Sequence, residues 1–260
     1  MTALLSAEGL VKRFGGVLAA RDVSFALEAG EMLAIIGPNG AGKSTTFNMV
    51  GGQLRPDGGR VALDGRDITG MPPREVCRMG VGRTFQVAQT FLSFTVIGNV
   101  QMALIAHHGQ TRRLLGDAMA MHRAEALALL ERVGMGTQAD RPVGELAYGD
   151  VKRVELAIAL AAAPRLLLMD EPTAGMAPSE RASLMALVAG IARETRIGVL
   201  FTEHDMDAVF AHADRILVLV RGEIIARGSP EEVRADPEVQ RVYLGRAGTK
   251  AAQRARRVHG

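Results

Sequence analysis

MLAIIGPNGAGKS, running from Met32 to Ser44, decides the reading of this chain. The run Met32–Ile36 is apolar without alternation, so it reads as a strand buried on both faces, as in a parallel sheet covered by helices. Gly37-Pro38-Asn39-Gly40-Ala41-Gly42-Lys43-Ser44 follows, matching GxxxxGK[ST], and a helical pattern comes next. Strand, glycine-rich loop and helix in that order make a phosphate cradle. The glycines let successive backbone N–H groups turn toward phosphate oxygens, and the helix N-terminus adds the positive end of its dipole. Lys43 is expected to reach the β- and γ-phosphates of a nucleotide. The Ser44 hydroxyl is expected on Mg²⁺, with Thr45 beside it in the first helical turn.

A second apolar run, RLLLM (165–169), ends in Asp170-Glu171-Pro172. Two acids at the carboxyl end of a buried strand suit a metal–phosphate site, because α/β sheets bind ligands at that edge. Asp170 is expected to hold Mg²⁺ and Glu171 to orient or deprotonate an attacking water. Four weaker features agree by position. Gln86 follows Arg83-Thr84-Phe85. His204, in Thr202-Glu203-His204-Asp205, follows the apolar run IGVLF (197–201). Leu146-Ala147-Tyr148-Gly149-Asp150 precedes a helical pattern over 151–163, offering backbone donors at a helix N-terminus. Phe14 lies upstream of the glycine-rich loop, where it stacks on a base or packs in the core.

Short apolar runs alternating with helical patterns predict α/β architecture. RDVSFAL (21–27) and GRVALDG (59–65) alternate as half-buried antiparallel strands do. Residues 216–226 read as a hairpin, with Gly222 free to take positive φ in the turn. Leu184, Leu187, Val188 and Ile191 mark one face of a helix packed on the sheet. From about 96 to 163 the pattern is helical, with Ala126, Leu129, Leu130 and Val133 on one stripe and no convincing strand. The chain therefore reads as an α/β core over about 1–95 and 164–235 with a helical insert between. His107-His108 is set aside as a metal site, since adjacent side chains diverge on a helix and no third ligand is near in the sequence.

Composition narrows the classes. With 48% hydrophobic residues the chain can bury a sizeable core, which excludes intrinsic disorder. One cysteine, Cys77, excludes an internal disulfide and a four-cysteine zinc site. The most apolar stretch, 154–169, is interrupted by Glu155, Pro164 and Arg165, so no membrane span is expected, and the N-terminal residues do not read as a signal peptide. Six basic residues and no acid in 241–260 carry +6 of a net +3, leaving −3 on the rest. The positive balance belongs to the tail and not to a nucleic-acid-binding face. That tail reads as a solvated terminus or as a contact for anionic phospholipid headgroups.

Taken together, these motifs resemble the ATP-binding cassettes of ABC transporters, from about Leu4 to Gly245, leaving 246–260 as a basic tail. The resemblance implies a P-loop NTPase (RecA-like) core with an antiparallel β subdomain and an inserted helical subdomain. It assigns Phe14 to the base, Gly37, Pro38, Asn39, Gly40, Ala41, Gly42, Lys43, Ser44 and Thr45 to the phosphates, and Gln86 to metal sensing. It assigns Ala147, Tyr148, Gly149 and Asp150 to a signature that contacts the nucleotide of an opposing subunit. Ser44, Gln86 and Asp170 become metal ligands, and Glu171, His204, Lys43 and Gln86 the catalytic set. GRTFQ (82–86), LAYGD, TEHDM (202–206) and PEEVRADPEVQRVYLG (230–245) are similar to the cassettes of branched-chain amino-acid importers. That group implies ATP and Mg²⁺ as cofactors and a second cassette. It also implies two transmembrane permease subunits, a periplasmic solute-binding protein, and a place on the cytoplasmic face of the inner membrane. The segment 87–96 is expected to receive the membrane subunit. Ala147, Tyr148 and Asp150 depart from the common LSGGQ signature, and Ala177 stands where many cassettes carry Asp. The rival class, a non-transport ABC ATPase acting on nucleic acid or ribosomes, usually has paired cassettes or a long coiled coil, and no nucleic-acid partner is expected here.

Overall fold

The structure is a computed structural model that describes residues 3–84, 90–110 and 121–242. The chain opens with strands β1 (Leu5–Phe14), β2 (Val17–Leu27) and β3 (Met32–Ile36), helix α1 (Lys43–Val50), and strands β4 (Gly58–Leu63) and β5 (Arg66–Asp67). Helix α2 (Pro73–Arg78) leads to strand β6 (Val81–Thr84), and helices α3 (Val96–His107), α4 (Arg123–Arg132) and α5 (Tyr148–Leu160) follow. Strand β7 (Leu166–Asp170), helix α6 (Pro178–Thr195), strand β8 (Gly198–Thr202) and helix α7 (Met206–His212) return to the core. Strands β9 (Arg215–Val220) and β10 (Glu223–Gly228) and helix α8 (Pro230–Ala235) close the described fold.

Two sheets result. One is antiparallel, in the order β2-β1-β4-β5, and the other runs β10-β9-β3-β8-β7-β6 with only the β9–β10 pair antiparallel. Along β3, Met32, Ala34 and Ile36 join a core shared with the helices α3–α6, while Leu33 and Ile35 join a second core beneath the antiparallel sheet and α1. Strand β7 divides the same way, Leu167 and Met169 to one side and Leu166 and Leu168 to the other. Covering on both faces is why these strands show no alternation. Fully burying a leucine or isoleucine contributes about 1.5–3 kcal/mol, so both layers are anchored on these few strands.

The α3–α5 segment holds no strand among its described residues and shares its core with the parallel sheet, Val96, Val100, Leu130 and Leu156 packing in the same cluster as Ala34 and Phe201. The hairpin forms as expected. Arg221 (φ 51°) and Gly222 (φ 84°) make the two-residue turn, in which both central residues need positive φ. Strand β1 was missed because its alternation is broken. Gly9 takes φ 60°, the pairing with β2 shifts between Ala7 and Leu10, and the buried set runs Leu5, Ala7, Leu10. Strand β6 is only four residues with Gly82 inside it, too short to carry a period.

Candidate functional site

Parallel register puts the carboxyl ends of β3, β8 and β7 on one edge. Ile35 lies opposite Thr202, and Thr202 opposite Asp170. The loop after β3, Gly37 to Gly42, wraps over that edge. Two of its glycines are steric necessities. A Cβ on Gly37 (φ 155°) would lie 2.2 Å from the Leu219 carbonyl oxygen, and one on Gly42 (φ 102°) 2.3 Å from that of Ala19. The loop is tied down where Ala41 N–H donates to Pro38 O (3.0 Å) and Gly222 N–H donates to Ala41 O (2.8 Å).

Helix α1 starts at Lys43 with Gly42 as its cap, without a side-chain cap and without an acid in its first turn. The first-turn N–H groups lack intrahelical partners and the dipole's positive end is uncompensated, which favours an anion. Lys43 is buried, at 7% exposure, and its Nζ donates to Gly37 O (2.7 Å) and Pro38 O (3.3 Å). Burial pulls its ammonium below the usual lysine range, while the charges of Glu171 and Asp170 act in the opposite direction. Desolvation makes a cation favour an anionic partner. Ser44 is exposed and Thr45 half-buried, so both hydroxyl side chains stand at the open end of the cradle.

The two acids after β7 are held differently. Asp170 Oδ1 accepts from Thr202 Oγ at 2.6 Å, which fixes the carboxylate at the sheet edge. Glu171 has φ 48°, uncommon for a residue with a side chain. Its N–H donates to Thr202 O and Oγ, both at 3.1 Å, and Oε1 lies 2.7 Å from His204 Nε2. The structure therefore gathers Lys43, Asp170, Glu171 and His204 at one edge. The Asp170 carboxylate and the Ser44 hydroxyl are hard oxygen donors, a chemistry that suits Mg²⁺.

Sequence reading missed four supporting residues. Glu203, 4% exposed, accepts through Oε1 from Thr173 N–H (2.9 Å) and Thr173 Oγ (2.7 Å), and through Oε2 from His204 N–H (3.1 Å). It thus ties the loop after β7 to the backbone of His204. The Arg181–Asp205 ion pair anchors the start of α7 to α6. Arg83, at the end of β6, donates to Asn48 Oδ1 (2.8 Å) over the Phe47 ring. Burial pulls its pKa down and the Asp170 charge pushes back. The TEHD stretch was the available signal for Glu203, but it was read only for its histidine. Glu203→Gln keeps the size and sets an amide against one of these donors. An unsatisfied buried group costs about 1–3 kcal/mol, so urea denaturation is expected to show that loss. An unchanged unfolding midpoint would remove Glu203 from this support.

The remaining expected residues lie elsewhere. Gln86 falls outside the described residues, as do 87–89 and the tail 246–260. Phe14 is 51% exposed at the end of β1, so it is not a core residue. It pairs with Val17, and β2 continues to Ala19, whose carbonyl crowds Gly42. Helix α5 begins at Tyr148 and not at 151, which places Tyr148, Gly149 and Asp150 in its first turn behind an extended Ala147. The tyrosine–glycine pair looked like a turn, yet Gly149 is buried, and a Cβ there would come 3.1 Å from Glu180 Oε1. Ala147 and Tyr148 are exposed, whereas Gly149 and Asp150 face Met176, Ser179 and Glu180 and not the glycine loop.

Comparison with known proteins agrees with this geometry. The ABC transporter family matches residues 20–174, and the C-terminal segment described as branched-chain amino acid ATP-binding cassette transporter matches residues 223–249. The high-affinity branched-chain amino acid transport ATP-binding protein LivG of Salmonella typhimurium is 42% identical, over 94% of this chain and 98% of its own length. BraF of Pseudomonas aeruginosa, of the same description, is 40% identical over 94% and 98%. Among solved structures, MJ1267, an ATP-binding cassette of an ABC transporter in its ADP conformation, is 34% identical with a TM-score of 0.84, covering 94% of this chain and all of that one. A 25% identical cassette, MJ0796, described as a dimer in a post-hydrolysis state with ADP and phosphate, gives 0.73 over 87% and 98%. Fold, sheet-edge geometry and two independent sequence matches converge, and the chain belongs to the ABC transporter family as an ATP-binding cassette.

Proposed function

We propose that this chain binds and hydrolyses ATP to drive uptake of branched-chain amino acids, or a related small polar solute, through an importer of the inner membrane. The observation that supports this most is the meeting of Lys43, Asp170, Glu171 and His204 at the edge where the glycine loop ends. Phe14 stacks on the adenine. Backbone N–H groups from Gly37 to Thr45 cradle the phosphates, and the Lys43 ammonium leaves its two carbonyl partners for the β- and γ-phosphate oxygens. Ser44 and Asp170, with Gln86, would hold Mg²⁺, which when bound neutralises phosphate charge. Glu171 takes the proton of the attacking water. His204, which contacts Glu171 in the free chain, turns to the γ-phosphate.

The signature's Ala147 and Tyr148 are exposed and face outward at a helix start without a side-chain cap. A second cassette arranged head to tail brings the signature to the glycine loop, with residues 1–245 as the cassette and about 96–163 as its helical subdomain. ATP between the subunits acts as the latch and hydrolysis opens it. No helix among the described residues is long and apolar enough to cross a membrane. Transport therefore depends on two permease subunits, supplied by a periplasmic binding protein, with the cassette on the cytoplasmic face. Phe91, Leu92 and Phe94 are exposed at 42–61%, a concentration of apolar surface that supports a permease contact there. The match of residues 223–249 to the branched-chain family favours that solute class.

Affinity capture of the tagged chain from detergent-solubilised native membranes tests the assembly. Two multi-span proteins and a second cassette are expected by mass spectrometry. Recovery of ribosomal or soluble partners alone would favour the non-transport class.

A further inference from the structure

The His107-His108 pair lacks a third ligand in the sequence, but the fold supplies two. His108, just past α3, His122, the cap of α4, and Glu125 in the first turn of α4 bring their ligand atoms within 4.8 Å of one another. Glu125 Oε2 lies 3.2 Å from His122 Nδ1 and 3.6 Å from His108 Nε2. Around a tetrahedral ion with bonds of about 2.0–2.1 Å, neighbouring donors stand about 3.3 Å apart, so both separations suit one shared ion. The third separation, between the two histidine nitrogens, is bounded at 4.8 Å and closes when one imidazole turns about its Cβ–Cγ bond.

Tautomer chemistry points the same way. His122 Nε2 lies 2.8 Å from Gln110 Oε1. An amide oxygen can only accept, so Nε2 carries the proton and donates. Nδ1 then faces the Glu125 carboxylate oxygen at 3.2 Å, an arrangement that either a proton on Nδ1 or a shared cation makes favourable. A hydrogen bond that fixes the second ring nitrogen is the usual support of a metal-bound histidine. The His108 and His122 rings stack at 4.5 Å and 10°, which holds them side by side, and one ring turns out of the stack to bring both in-plane lone pairs onto a shared ion, while His107 is tilted 68° from His108. His122 holds φ 56°, a conformation few side-chain residues adopt, and so presents its ring over the first turn of α4. Side-chain exposures of 39%, 18% and 51% for His108, His122 and Glu125 leave the position open to solvent.

We infer that His108, His122 and Glu125 form a binding site for a divalent transition-metal ion of the Zn²⁺, Ni²⁺ or Co²⁺ type, bridging the end of α3 to the start of α4. Two imidazoles and one carboxylate suit these ions and not Mg²⁺, which prefers oxygen donors. Water completes the coordination. The site is chemically distinct from the all-oxygen donor set of Ser44 and Asp170.

Co²⁺ titration of the full chain, with millimolar Mg²⁺ present and no nucleotide, tests it through the visible ligand-field band. One Co²⁺ per chain is expected, displaced by Zn²⁺. His108→Ala and Glu125→Gln are each expected to weaken binding by at least about tenfold. So is His122→Asn, in which asparagine tolerates the left-handed φ and no side-chain cap is lost. His107→Ala and His204→Ala are expected to bind as the parent does. Circular dichroism confirms that each variant is folded. Absence of Co²⁺ binding, retention by folded His122→Asn, or loss in His204→Ala would overturn the assignment, the last by moving the ion to the nucleotide site.

Discussion

Glu171→Gln is expected to retain ATP binding and lose most hydrolysis. Glutamine matches glutamate in size and still hydrogen-bonds to His204, so the 2.7 Å contact at the sheet edge survives in kind. It cannot accept the proton of an attacking water. Loss of a positioned general base lowers rate typically about 10²–10⁴-fold. Because the latch then forms and does not open, ATP-bound cassette pairs should accumulate. Steady-state phosphate release checks the rate, equilibrium binding of a fluorescent ATP analogue checks affinity, and light scattering checks the pairing. Hydrolysis at the parent rate would remove Glu171 from the chemistry.

Lys43→Ala acts at an earlier step. The lysine is desolvated, and its ammonium is held in place by the carbonyls of Gly37 and Pro38 beside the two acids. Exchanging these partners for phosphate oxygens replaces neutral acceptors by charged ones. Hydrogen bonds to charged groups contribute about 1.5–3 kcal/mol, so ATP affinity is expected to fall by roughly tenfold to a hundredfold, with turnover lost. The pattern differs from that of Glu171→Gln, which spares affinity. Calorimetric ATP binding and phosphate release separate the two. Parent-like values in both would exclude Lys43 from phosphate contact.

What could be read in the sequence follows from how locally each feature is determined. Strand β3 and the loop after it were legible because burial on both faces removes alternation and because the glycines meet backbone at Leu219 and Ala19. Asp170 and Glu171 were legible because they end such a strand. Strand β1 was not, since Gly9 resets its period by a register shift that depends on pairing with β2. The start of α5 was not, since Gly149 is helical for the space Glu180 leaves it. Glu203 was hidden for a related reason. A carboxylate beside a histidine looks solvated until Thr173 arrives from a different strand connection and buries it. The three-ligand cluster at His108 also depends on tertiary contact, because α3 must end where α4 begins before Glu125 can face both rings.

ATP-driven solute uptake by the captured membrane assembly tests the central claim most directly. Proteoliposomes holding that assembly and enclosing ATP and Mg²⁺, supplied outside with the binding protein and labelled leucine, isoleucine and valine, should accumulate at least one of them. The same vesicles built with Glu171→Gln should not. Equal accumulation with the parent and the variant, or ATP turnover indifferent to binding protein and solute, would contradict the account.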